Sequence, residues 1–122
     1  MKKGFYFIGI NDYDNNGDSM FIPELEEGSV EYYGKLYIHR KKENRKDRTG
    51  WRVSHRNTGA AIICNVSLAS ARLLANKLQG FRLWDIKTYE GIKEVIAEGE
   101  SNPESSYHHE LKQIRIIRKL RA

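Results

Sequence analysis

With 122 residues, 39% of them hydrophobic, and with seven Tyr, four Phe and two Trp, the chain suits one domain with a modest core, is too short for two, and is too aromatic for a disordered chain. Its apolar runs fall far short of the roughly 20 residues a membrane helix needs, and Asn11 and Asp12 follow Phe5 to Ile10 too soon for a signal-peptide core. A net charge of +5 points away from cationic partners and towards anionic ones.

Gly4 to Ile10 (GFYFIGI) is aromatic and β-branched and ends at the turn-rich DYDNNGD, which predicts a first, central strand. Met20 to Leu25 predicts a short second strand, set at an edge because Pro23 has no N–H to give a ladder. Val30 to His39 predicts one longer strand with Leu36 and Ile38 on one face, running into a polar hairpin loop from Arg40 to Gly50. Trp51 to His55 alternates, Asn57 to Gly59 supplies turn chemistry, and Ala60 to Val66 completes a consecutive antiparallel meander.

Ser67 is placed to cap a helix whose apolar positions Leu68, Ala71, Leu74, Ala75 and Leu78 recur at three and four, ending near Gly80. A second helix, capped by Asp85 or Thr88, is expected through Ala97 with Gly99 as its stop. Asn102, Pro103 and Glu104 form a good start for a third, carrying Tyr107, Leu111, Ile114 and Ile117 inward, although Gln113 to Arg118 also alternates as a strand would. The expected fold class is therefore α+β: a meander of four to five strands over residues 1–66, then two or three helices over 67–122, packed on one face as a single domain.

Charge is distributed unevenly. Residues 1–34 carry two Lys and seven acids (−5), residues 35–56 carry nine Lys or Arg against two acids (+7), and the remainder carries ten against seven (+3). The basic hairpin, with Arg40, Lys41, Lys42, Arg45, Lys46 and Arg48 at its tip and Arg52, His55 and Arg56 beyond it, has the makings of a phosphate clamp. Like charges crowded together repel one another, and phosphate oxygens relieve that repulsion while releasing counterions. The alternative is a solubilising loop. Arg52 and Arg56 are the preferred contacts, because near a rigid sheet they hold a bidentate geometry at lower entropic cost than loop-tip lysines. Tyr32, Tyr33, Tyr37 and Trp51 are nearby candidates for stacking on bases, with at least half needed in the core. Arg115 and Arg118 belong to a second basic stretch, Lys112 to Arg121, which either faces the same ligand or stays solvated.

Chemistry of other kinds finds little support. Asp12, Asp14, Asn16, Gly17 and Asp18 open like a calcium loop, but Pro23 stands where a bidentate Glu is required. His39, His55, His108 and His109 have no metal-ligand spacing with Cys or carboxylates. Cys64, the lone cysteine, sits in an apolar run, which excludes an internal disulfide and suits a reducing cytoplasm. No cofactor and no enzymatic activity are expected.

Gly50 to Gly59, reading W-R-V-S-H-R-N-T-G from Trp51, leads into the apolar strand and the helix at Ser67. With the basic loop and basic C-terminal segment, this layout resembles small phage-encoded counter-defence proteins such as the Thoeris anti-defence nucleotide sponges. The resemblance covers the arrangement of segments and no single motif, so it assigns no site residue. It implies an oligomer that sequesters a nucleotide signal in pockets shared between protomers. The expected function is thus non-enzymatic binding of a phosphate-bearing ligand, a nucleotide or a nucleic acid. The other reading is a protein inhibitor whose acidic first 34 residues imitate a nucleic-acid phosphate row.

Overall fold

The structure, a computed structural model, describes residues 3–13, 19–40 and 50–120. Five strands, β1 (Lys3–Tyr13), β2 (Ser19–Tyr33), β3 (Leu36–Arg40), β4 (Trp51–His55) and β5 (Ala61–Val66), pair antiparallel in the order β1-β2-β3-β4-β5. Three helices follow, α1 (Leu68–Leu78), α2 (Tyr89–Ser101) and α3 (His108–Arg118), with a 3-10 turn at Arg82–Asp85 between α1 and α2. The architecture is the expected α+β meander with its helices after it. Among the described residues no helix is long and apolar enough to cross a membrane.

The strand boundaries differ from expectation in the first half. β1 is an edge strand, not a central one, and β2 runs for 15 residues. Ser19 to Ser29 pair with β1, and Val30 to Tyr33 pair with β3. Pro23 therefore lies opposite Gly9 in a stretch whose other side carries no strand among the described residues, which suits its missing N–H. The segment read as one strand from Val30 to His39 is broken by a two-residue turn, with Tyr33 opposite Leu36 and Gly34 at a φ of +58°. A glycine at the first central position is the signature of such a hairpin turn.

Where pairing passes from β1 to β3, the β1–β2 hairpin folds back over one face of the sheet. Tyr6 sits with its ring 5.6 Å from that of Tyr37 and 4.7 Å from that of His39. The Tyr32 hydroxyl donates to the Phe5 carbonyl at 2.8 Å, and the Tyr37 hydroxyl donates to the Phe7 carbonyl. Gly28 lies against this contact: a β-carbon there would stand 3.0 Å from the Tyr6 hydroxyl, so the ring would have to give by a few tenths of an ångström.

The opposite face holds the main core. Leu36, Ile38, Val53 and Ile63 meet Ala71, Leu74, Ala75 and Leu78 of α1, with Trp84, Ile92, Leu111 and Ile114 completing the cluster. Ser67 caps α1 by accepting from the Ser70 N–H at 3.2 Å, and Thr88 caps α2 by accepting from Gly91 at 3.1 Å. Gly99 is not a stop: α2 continues to Ser101, and a β-carbon on Gly99 would stand 2.4 Å from Leu111 Cδ1. Glycine is there to let α3 approach. Asn102 to Tyr107 form a turn, so α3 starts at His108, later than the Asn-Pro-Glu signal suggested, and Gln113 to Arg118 are helical rather than extended. Glu110 fastens α3 to the 3-10 turn, accepting from the Leu83 N–H at 2.8 Å and from Arg82 Nε at 3.3 Å.

Candidate functional site

The predicted contacts separate into three environments. Arg45 and Arg48, with Lys41, Lys42 and Lys46, lie outside the described residues, as does most of the calcium-like segment. Arg40 ends β3 with its guanidinium 4.9 Å from the Trp51 ring centroid, beside the main core.

His55 is a correction. Its side chain is fully buried, with Nδ1 2.9 Å from the Thr58 hydroxyl and Nε2 2.6 Å from the Trp84 carbonyl. A carbonyl only accepts, so Nε2 carries the proton and Nδ1 accepts from Thr58. Burial lowers the His55 pKa, and the neutral ring ties the β4–β5 turn to the 3-10 turn. It has no nitrogen left for a ligand. The strand's alternation places His55 with Trp51 and Val53 on the core side, a signal present in the sequence and outweighed there by the neighbouring arginines. Tyr37 and Trp51 are likewise buried and Tyr33 half-buried against the core, so of the four proposed stacking rings Tyr32 alone is exposed.

Arg52 lies on the hairpin side of the sheet, directly across from His39. Its Nε is buried and has no hydrogen-bond partner among the described residues, and neither has Nδ1 of His39, whose Nε2 is 2.9 Å from the Ser54 hydroxyl. Burial first, then the Arg52 charge, lowers the His39 pKa to about 4.

Arg56 heads a cleft on this side. The tight Gly34 turn brings β2 and β3 under the β4–β5 turn. The Arg56 N–H then donates to Lys35 O at 2.8 Å, and Nη1 donates to Gly34 O at 3.2 Å. The guanidinium lies 4.4 Å from the Tyr32 ring centroid, a cation–π contact that fixes its plane. With Phe5, Phe7, Lys35 and Asn57 these side chains line a cleft of about 360 Å³. Phe5 is 62% exposed, Phe7 47% and Tyr32 46%. Among the described residues two basic side chains and no acid line the cleft. The charged side chains of that lining are cationic and its walls are aromatic. Phe5 and Phe7 were missed at sequence level because an aromatic strand reads as buried; they share one face of β1, and that strand is at an edge with its outer face open.

The second basic stretch is only partly committed. Arg115 donates to Glu100 at 2.7 Å, whereas Arg52, Arg56 and Arg118 have no carboxylate partner among the described residues. Arg115 and Arg118 reach a different cavity, between the β4–β5 turn and α2 and α3. The predicted arginines among the described residues are thus not gathered into one site. Among the described residues no group of three or more His, Cys, Asp or Glu side chains could hold a metal ion. Comparison with protein-family models, with curated proteins and with solved structures finds no match.

Proposed function

We propose that the chain is a non-enzymatic binding protein for a phosphate-bearing ligand of the nucleotide class, held in the cleft between the β1–β2 hairpin and the β4–β5 turn. The observation that carries this reading is Arg56: its guanidinium is oriented by Tyr32 and Gly34, pairs with no carboxylate among the described residues, and stands beside exposed Phe5 and Phe7. Arg56 and Lys35 supply charge for phosphate, with Arg56 able to pair two oxygens at once. The exposed rings supply faces for a base, at roughly 1–3 kcal/mol per stacked base. A cleft of about 360 Å³ falls within the 300–1,000 Å³ typical of small-ligand pockets, which favours a nucleotide over a duplex. In this reading the ligand is held and sequestered, in keeping with the resemblance to counter-defence sponges.

A thermal-shift panel of linear and cyclic nucleotides tests this, since a ligand that binds only the folded state stabilises it by about 2.7 kcal/mol at 100 times Kd. At least one nucleotide should raise Tm by several degrees in the wild type and by far less in Arg56→Ala. No shift across the panel, or an equal shift in the variant, overturns the reading. Single-stranded oligonucleotides bound with a steep salt dependence while the panel stayed silent would replace the nucleotide by a polymer.

A further inference from the structure

A second cavity, of about 240 Å³, lies between the β4–β5 turn and helices α2 and α3, on the opposite side of the sheet from the Arg56 cleft. Its deep lining is buried: His55, Trp84, Ile92, Leu111 and Ile114. Two of these carry polar atoms, and both are committed. His55 uses each ring nitrogen, and the Trp84 indole N–H donates to Leu78 O at 2.6 Å. A hydroxyl or amide pushed among these side chains would give up water and find no partner, whereas a hydrocarbon or ring would give up nothing. The deep part therefore selects an apolar body.

The exposed lining is charged: Lys93 on α2, Arg115 and Arg118 on α3, and one acid, Glu100. Arg115 is taken up by Glu100 at 2.7 Å, so the two cancel locally. Arg118 has no hydrogen bond or ion pair among the described residues, and the Lys93 ammonium rests 5.2 Å from the Tyr89 ring centroid. With Arg115 neutralised by Glu100 and the Lys93 ammonium held against Tyr89, Arg118 is the lining guanidinium left without a partner among the described residues, which matches a single carboxylate. At about 240 Å³ the cavity lies below the usual range for drug-sized ligands.

From this arrangement we infer a second binding site, independent of the nucleotide cleft, for a small amphipathic monoanion: a compact apolar body in the cavity with a carboxylate at Arg118. The site gives the C-terminal basic segment a role separate from that of the basic hairpin.

Octanoate and octanol serve as probes, equal in chain length and different in charge. The readout is two-dimensional NMR of the Trp84 indole N–H and the Ile92 and Ile114 methyl groups. Octanoate should shift these signals and bind at least tenfold more tightly than octanol, leaving amides around Phe5 and Phe7 unmoved. Arg118→Ala should bring octanoate down to the affinity of octanol, and Ile96→Trp, which fills the cavity, should abolish both. Arg118 is exposed, so its variant should fold even where Ile96→Trp does not. Equal affinities in the wild type, full octanoate affinity in Arg118→Ala, no binding at all, or shifts centred on Phe5 and Phe7 would each overturn the inference. None of these results depends on whether nucleotides bind at Arg56.

Discussion

Leu36 and Ile38 leave β3 on one side and Tyr37 and His39 on the other, and the two sides are built from different chemistry. The helix side is sealed by aliphatic side chains from α1, α2 and α3, and its buried histidine has both nitrogens bonded. The hairpin side is covered by one aromatic strand, keeps an unpartnered histidine nitrogen and an unpartnered buried arginine Nε among the described residues, and opens into a cationic cleft. Buried polar groups without partners are costly, and the open cleft shares its side of the sheet with those of His39 and Arg52; the proposed function therefore assigns stability to the helix side and recognition to the hairpin side.

Four changes break or sharpen that contrast. The largest effect is expected from Leu36→Ala on the helix side, where truncating a fully buried residue should cost about 2–5 kcal/mol in urea unfolding; a loss below 1 kcal/mol would mean that side is not the stability core. Next comes acid. His39 is neutral in the fold because burial holds its pKa near 4, against 6.5 when exposed, so between those values the unfolded chain binds more protons. Stability should fall as pH drops from about 6.5 to about 4, by roughly 3 kcal/mol at 1.4 kcal/mol per pKa unit. His55, also lowered, acts in the same direction. His39→Phe should flatten the urea-midpoint profile between pH 7 and 5, and an unchanged slope would place the titration on the helix side instead.

Gly99→Ala sets helix propensity, worth up to about 1 kcal/mol in its favour, against overpacking of Leu111, which costs about 1–3 kcal/mol. A net loss near 1 kcal/mol in thermal unfolding is expected, and a gain would show that α2 and α3 are not closely packed. The smallest stability effect is expected from Arg56→Ala, within about 1 kcal/mol because only an exposed cation–π contact and one hydrogen bond are lost. Calorimetry showing a larger loss would make Arg56 structural.

The helix side was legible because its signals are local. Ser67 and the spacing of Leu68, Ala71, Leu74, Ala75 and Leu78 mark α1 at its observed bounds, since a cap and a 3.6-residue period need no knowledge of distant partners. The hairpin side was not, because its structure is set by contacts across the chain. Alternation continues smoothly through Val30 to His39, so the turn at Gly34 shows itself only through one glycine, and the fold-back of β1 onto Tyr37 and His39 leaves no periodic trace. Arg56 was legible as a candidate from its place beyond β4. Phe5, Phe7 and Lys35 were not, because exposure of an aromatic edge strand depends on what its neighbours leave uncovered.

The claim that the hairpin side is the recognition side is tested most directly by amide NMR of the protein titrated with a panel of linear and cyclic nucleotides. Shifts centred on Phe5, Phe7, Lys35 and Arg56, absent in Arg56→Ala, are the predicted result. Shifts confined to α2 and α3, or a spectrum unmoved by every member of the panel, would contradict it.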